Sequence, residues 1–292
     1  MEPEKKDPLS IKCLICQLDA KLKEPAENMK KLTISLAKYT ADSKIDVLLF
    51  PEMVFSGYHF KDSADIEPYL EECGKGLTYL FCAKYAKLLN CYVICGYPEL
   101  EIVETTRKLY NSAYVIDRDG SILLNYRKHH LYEVDHRWAL EGEAFKSLLL
   151  KNSEGKEFKA VVAVCMDINC YEFKDSSKFE LAEFIRKEQA DALFFISAWK
   201  DSDEKTANGE SIKEMLNFWI YRLSPVISSE KNQLAAEKMY KRRAFFCADR
   251  VGQEEDTVFV GCSCALKFNP MKFIGCLDKR NEGFLLAEVL LE

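Results

Sequence analysis

The sequence predicts a layered α/β domain, and three observations predict it. Apolar runs of strand length alternate with segments of helical spacing along the chain. Several of those runs end in a polar residue, which is how a sheet delivers side chains to a site. At 292 residues, with 48% hydrophobic and 30% charged residues, the chain also suits one large globular domain rather than two. We assign residues 10–292 to that domain and residues 1–9 to a flexible lead.

The first strand is expected at 11–18, within the apolar IKCLICQLD. A helix over 25–39 follows, opened by Pro25, whose fixed φ suits a first helical turn. The run DVLLFP places a strand at 46–51, and Pro68 opens a helix over 68–89 in the same way. Strands at 91–97, 112–117 and 121–126 come next, the last two joined through Asp119-Gly120 as a tight hairpin. A strand at 158–165, a helix over 179–189 and a strand at 192–198 lead into KDSDEKTANG (200–209), a charged loop expected near the mouth of a pocket. A helix over 231–249 and strands at 258–268 and 283–290 complete the series.

Charge and composition exclude several classes of function. A net charge of -6, from 41 Lys+Arg against 47 Asp+Glu, supplies no basic field for nucleic acid. No apolar run approaches the roughly 18 residues of a membrane span, and the start MEPEKKDP lacks the apolar stretch of a secretory signal. A cytoplasmic protein is expected, with the nucleus also open to it. Of the 12 cysteines, Cys13, Cys16, Cys91, Cys95, Cys262 and Cys264 lie in apolar strand-like stretches and read as small core residues of a reducing compartment. Cys13 and Cys16 form a C-x-x-C, but in a strand the two point to opposite faces, so no metal site is expected there.

Three segments carry chemistry: DVLLFPE ending in Glu52, NYRK ending in Lys128, and AVVAVCMD containing Cys165. Alone, each has a plain structural reading as a surface acid, a basic turn or a buried thiol. In ordered company they are the parts of a cysteine hydrolase without a catalytic histidine. A thiolate is the nucleophile, a carboxylate carries protons and an ammonium holds the developing oxyanion. All four histidines precede Cys165, which disfavours the papain-like order of cysteine first.

The order Glu, Lys, Cys within FPE, YRK and CMD resembles the nitrilase superfamily of carbon-nitrogen hydrolases, over nearly the whole chain. The resemblance implies a four-layer α-β-β-α sandwich, with Glu52 as general base, Lys128 as oxyanion-stabilising amine and Cys165 as nucleophile. It places the backbone N–H of Met166 in the oxyanion hole. Longer strings, LFPE with SGYHF, RKHHLY with Asp135 and Trp138, CMDIN with Tyr171 and Phe173, SAW and NFWIYRLSP, are similar to the branch of protein N-terminal amidases. That branch hydrolyses the side-chain amide of N-terminal Asn or Gln, releasing ammonia, in an N-degron pathway, and needs no metal or organic cofactor. Many superfamily members add a glutamate about eight positions after the lysine; His136 stands there, with Asp135, Glu133 or Glu141 as substitutes.

A protein N-terminus carries an ammonium that needs an acceptor. Asp167 is the first choice and Asp135 the second, with a turn-capping role as the other reading of Asp167. Tyr58, His59, Trp138 and Trp199 are candidate pocket walls, and His130 a candidate substrate contact beside Lys128. The expected partner is the N-terminal Asn or Gln of peptides or proteins, with neither nucleic acid nor membrane, and a homo-oligomer is compatible with the fold. Two other readings stand beside this one: an omega-amidase-like hydrolase of free small amides, and a non-catalytic module that binds protein N-termini.

Overall fold

The computed structural model describes residues 8–202, 209–227 and 241–291. The first half of the chain forms β1 (Leu9–Gln17), α1 (Pro25–Leu36), β2 (Val47–Leu49), α2 (Ser63–Ile66), β3 (Glu71–Glu72), α3 (Leu77–Leu89), β4 (Tyr92–Val103), β5 (Thr106–Ile116) and β6 (Ile122–Arg127). The second half forms β7 (Lys146–Lys151), β8 (Glu157–Val164), α4 (Glu180–Glu188), β9 (Ala192–Ser197), α5 (Gly209–Arg222), β10 (Arg243–Asp249), the short pair β11 (Gln253–Glu254) and β12 (Thr257–Val258), then β13 (Cys264–Phe268), β14 (Lys272–Cys276) and β15 (Gly283–Leu291).

The strands build two sheets, one ordered β15-β1-β2-β4-β5-β6 with β3 beside β4, the other β14-β13-β10-β9-β8-β7. Ile11, Cys13, Ile15, Val47, Leu49, Ile94 and Val115 of the first meet Ala160, Val162, Val164, Phe194, Ile196, Phe246 and Ala248 of the second in a common core. On its outer face the first sheet packs Leu14, Leu48 and Val93 under Leu32 and Leu36 of α1 and Phe81, Tyr85 and Leu89 of α3. The second packs Val161, Phe195 and Phe245 under Leu181 and Ile185 of α4 and Trp219 of α5. The result is the four-layer α-β-β-α sandwich. Because both faces of each sheet are covered, the central strands read as unbroken apolar runs rather than alternating ones. Cys13 lies between the sheets and Cys16 under the helices, the opposite faces that strand geometry requires.

Several boundaries differ from the sequence reading. Leu9 pairs with Leu291, so the ordered sheet begins inside the lead assigned to residues 1–9. Pro68 belongs to a 3₁₀ turn, Glu67–Tyr69, and the helix starts only at Leu77. The stretch 241–249, taken as the end of a helix, holds the central strand β10, paired on both sides. Its central AFFCA is apolar on both faces, and such a run satisfies helical and strand spacing alike. The remainder of that helix, 231–240, and 203–208 of the expected loop lie outside the described residues. The sequence predicts no element at β7, β14, α2, α5 or β11, the short β3 falls within the expected helix over 68–89, and the strand expected at 258–268 forms as β13 only from Cys264, with Val258 in β12. The hairpin at Asp119-Gly120 forms as expected, with Gly120 at φ 87° and its N–H donating to Asp117 O at 2.8 Å.

Parallel pairing of β1, β2 and β4, and of β8, β9 and β10, aligns their carboxyl ends, where ligands bind in open α/β sheets. Gly96 on β4 sets how closely the first of these ends is packed. A Cβ there would lie 2.7 Å from Met53 N and 2.8 Å from Glu52 Cα, and both are backbone atoms that cannot swing aside. Gly96→Ala is therefore expected to destabilise the protein by about 1–3 kcal/mol through overpacking. Urea denaturation with an unchanged midpoint would contradict that account.

Candidate active site

Glu52 follows β2 and is fully buried. Its Oε1 accepts from Lys128 Nζ at 2.8 Å and from Asn111 Nδ2 at 2.7 Å, and its Oε2 accepts from the Ala198 N–H at 2.9 Å. Lys128 follows β6 and is pinned by its backbone, whose N–H donates to Asn111 O at 2.8 Å and whose carbonyl accepts from the Gly142 N–H at 2.8 Å. Its ammonium is also fully buried and donates to Asp135 Oδ2 at 2.6 Å as well as to Glu52. An ammonium has three donors, so one remains beyond these two carboxylates.

Asp135 is thus the carboxylate that supports Lys128, in the role the sequence left among three acids. It also accepts from Asn111 Nδ2 at 2.9 Å, the Tyr132 N–H at 2.9 Å and Tyr58 Oη at 3.3 Å. Asn111, on β5, bridges both acids with one amide nitrogen; the sequence reading missed it, since a lone asparagine in a strand carries no motif.

Cys165 closes β8 and starts a 3₁₀ turn, Cys165–Ile168. Its φ of 47° is left-handed, an uncommon conformation for a residue with a side chain and one that clusters at functional sites. Met166 is the second residue of that turn, among the first N–H groups that find no acceptor inside a helical turn. Burial pushes the Cys165 thiol well above its ordinary pKa, with the Glu52 charge adding and Lys128 opposing. Burial also raises Glu52, against the pull of Lys128. For Lys128, burial works to lower the pKa, but Asp135 and Glu52 outweigh it and hold the amine charged. The resting site is therefore a thiol beside a carboxylate with enhanced proton affinity and a permanent ammonium.

A cavity of about 1010 Å³ opens over the thiol. Cys165, Met166 and Ala198 line it, together with Tyr132, Asn169, Phe173, Trp199, Phe218 and Tyr221 among others. Trp199 therefore stands where the sequence placed it. Lys200, Asp201 and Ser202 of the charged segment also reach the cavity, although Asp201 is buried and paired with Lys279 at 2.7 Å and Arg280 at 3.0 Å.

The other expected contacts lie elsewhere. Asp167 is fully buried, and its Oδ1 accepts from the N–H groups of His129 at 3.0 Å and His130 at 2.8 Å. Its Oδ2 accepts from Tyr126 Oη at 2.7 Å and the Val164 N–H at 2.8 Å. It ties the turn after Cys165 to the segment carrying Lys128, so the capping role fits and the ammonium-acceptor role does not. Asp135 is withdrawn from that role by Lys128. Tyr58 lies behind the lysine, its ring 5.6 Å from Nζ, and Trp138 is buried in the same cluster. His59 turns away to Thr257 Oγ1 at 2.8 Å, and the buried His130 directs Nδ1 to Asn169 O at 3.0 Å. None of these four lines the cavity. His130 ties the segment after Lys128 to the turn after Cys165, His59 ties its own segment to β12, and Trp138 packs with Tyr58, outcomes that composition in a turn does not reveal.

Among the described residues, no three His, Cys, Asp or Glu side chains gather in a form that would hold a metal ion, and no helix is long and apolar enough to cross a membrane.

Comparison with known proteins follows this geometry. The carbon-nitrogen hydrolase family pattern matches residues 15–177. The protein N-terminal amidase of Schizosaccharomyces pombe is 32% identical, over 94% of this chain and 97% of that one. Crystal structures of an N-terminal amidase with an Asn-Glu-Ala peptide and with a Gln-Gly peptide share the fold, with TM-scores of 0.83 and 0.82 at 21% and 22% identity, covering 97% of this chain and 98% of those chains.

Replacing Asp167 by Asn turns an acceptor of four hydrogen bonds into a group that offers donors to some of the same N–H and O–H partners. A loss of about 2–4 kcal/mol in unfolding free energy is expected, since each buried group left unpaired costs about 1–3 kcal/mol. Unchanged stability in a chemical melt would return Asp167 to the list of ligand contacts.

Proposed function

Since the chain belongs to the carbon-nitrogen hydrolase family and is an amide-hydrolysing enzyme, we propose that it removes the side-chain amide of N-terminal Asn or Gln from proteins and peptides. The carrying observation is the position of Glu52. One of its oxygens holds the Lys128 ammonium, and the other is bound to the N–H of Ala198, which lines the same cavity as Cys165. Both Glu52 and Lys128 act electrostatically on the Cys165 thiol, which supports their reading as base and oxyanion donor.

Glu52 accepts the Cys165 proton as sulfur attacks the amide carbon, and the oxyanion rests on Lys128 and the Met166 N–H. Protonation by Glu52 then releases ammonia and leaves a thioester. A water activated by the same carboxylate hydrolyses it to Asp or Glu. Burial suits Glu52 to this shuttle, because a carboxylate that binds its proton more tightly is a better base toward a thiol. The fully buried Asp135 holds the ammonium in place throughout.

A peptide rather than a free amide is favoured by the cavity, which at about 1010 Å³ exceeds what a single amino-acid amide fills. With Asp135 and Asp167 both engaged in the framework, the substrate amine meets the wall itself, where Asn169, Tyr132 and the faces of Phe173 and Trp199 are available. The acidic N-terminal residue produced would act as a destabilising one in an N-degron pathway of the cytosol or nucleus.

Ammonia release should be seen from peptides beginning Asn or Gln, but not from acetyl-Asn or Gly-Asn peptides, and should vanish in Cys165→Ser. Turnover of free small amides with no preference for peptides would favour the omega-amidase reading; no release from any substrate would favour a binding module.

The acid side of the pH profile follows from Glu52. The ionised carboxylate is the active base, so raising its pKa moves the loss of activity to higher pH. The acid limb of kcat/KM is expected above the ordinary glutamate range, and a limb at or below that range would contradict the assignment.

Asp135→Asn should lower kcat by at least ~10²-fold through a displaced oxyanion donor, while peptide affinity measured in a Cys165→Ser background stays near that of the parent. A collapse of affinity instead would make Asp135 the amine acceptor after all.

A further inference from the structure

Three strand ends stand side by side in the second sheet. Val164 of β8 lies opposite Ile196 of β9, and Ser197 lies opposite Asp249 of β10. Cys165, Ser197 and Asp249 therefore form one row across adjacent parallel strands, and all three are buried. Within the row, Ser197 Oγ and Asp249 Oδ2 have no hydrogen-bond partner among the described residues. Two unpaired polar atoms beside a catalytic thiol are costly, and such groups persist where chemistry uses them. The other Asp249 oxygen is committed, accepting from the Trp199 and Arg250 N–H groups at 2.9 Å each, while the Asp249 N–H donates to Ser263 Oγ at 2.9 Å. Asp249 is thus anchored through one oxygen, and its other oxygen is left unpaired at the position directly across from Ser197.

We infer that the Ser197 hydroxyl closes on the Cys165 sulfur as negative charge develops there, and that Asp249 is a positioning residue that orients Ser197 from behind. The inference rests on the proposed role of Cys165 as nucleophile. No bond beyond hydrogen bonds changes in the row. The thiol proton passes to Glu52, Ser197 donates its O–H to sulfur, and Asp249 donates its O–H to Ser197 Oγ directly or through one water.

The electrostatics are consistent with this arrangement. Against burial and the Glu52 charge, which raise the thiol pKa, Lys128 and then the Ser197 hydroxyl lower it, while a charged Asp249 would raise it further. In the resting state the Ser197 contact falls short of a regular hydrogen bond, so the hydroxyl is free to tighten as the thiolate forms. Asp249 is held well above the carboxylate range, chiefly by burial and further by Glu52, against the N–H groups of Trp199 and Arg250 and the Arg250 charge. An ionised Asp249 would add a second negative charge beside the thiolate, where Glu52 already stands; a neutral one adds a donor instead. The other titratable groups facing this region are Lys128, the phenols of Tyr58 and Tyr132, and, on the Asp249 side, Cys247 and Cys262.

The test reads the thiol rather than turnover. Iodoacetamide alkylation of Cys165 in the full chain is followed against pH, resolved from the other cysteines by peptide mass spectrometry. Ser197→Ala should move the midpoint up by about one pH unit, because a hydrogen bond to the charged sulfur is lost, and Ser197→Thr should bring it back. Asp249→Asn keeps an acceptor for Trp199 and Arg250 and a donor toward Ser197, so its midpoint should stay within about 0.3 unit of wild type. An unmoved midpoint in Ser197→Ala overturns the inference. So does a fall in Asp249→Asn, which would mean that an ionised carboxylate had been removed. Asp249→Asn reads independently if Ser197→Ala does not fold. Because no substrate is involved, failure of the N-terminal amidase reading would leave this result intact, and the reverse holds equally.

Discussion

A lysine ammonium with no access to water, held between two buried carboxylates, is the interaction on which the rest of this molecule depends. Lys128, Glu52 and Asp135 are each fully buried, and removing one partner of such a group typically costs about 3–5 kcal/mol because a charge is left uncompensated. The surrounding structure consists largely of devices that keep the three together. Asn111 ties both acids with one nitrogen, Gly96 allows β4 to press against the Glu52 backbone, and Tyr58 and Tyr132 complete the shell of Asp135.

That cluster belongs to the first sheet and its loops, whereas the thiol belongs to the second. Contacts that join them include the Ala198 N–H on Glu52, the His130 ring on Asn169 O, and Asp167, which accepts from Val164 beside the thiol and from His129 and His130 beside the lysine. Asp167 therefore fixes the separation between ammonium and sulfur. This explains why an acid two residues after Cys165 is fully used by the framework. The apolar core between the sheets supplies stiffness, and these few polar contacts supply registration. Close packing without them would leave the two halves of the site free to slide against each other.

The charge state follows from the same burial. Burial raises Glu52 and Cys165 together, while Asp135 and Glu52 outweigh burial at Lys128 and hold it charged, so the ammonium is the fixed charge of the site and both proton-exchanging groups bind their protons more tightly than in water. On the proposed mechanism a thiolate is required only when substrate is present, and the donors around sulfur, Lys128 and the inferred Ser197 among them, would act at that moment.

Sequence alone determined the layered class, most strand positions and the order Glu52, Lys128, Cys165, because strand-ending polar residues after apolar runs are a local signal. It also marked Trp199 and the charged segment beginning at Lys200 as close to the cavity. Only the tertiary structure decided which acid supports the lysine. Asp135, Glu133 and Glu141 are equivalent in composition, and it is the 3₁₀ turn Asp135–Arg137 that carries the first of them inward. Likewise β10 could not be told from a helix, since its central AFFCA is apolar on both faces and only its neighbours β9 and β13 give it a strand's hydrogen bonds. Asn111, Ser197 and Asp249 have no motif around them, because their roles arise from register between strands distant in sequence. Local propensity records what a segment buries, and contact between segments decides what each buried polar atom meets.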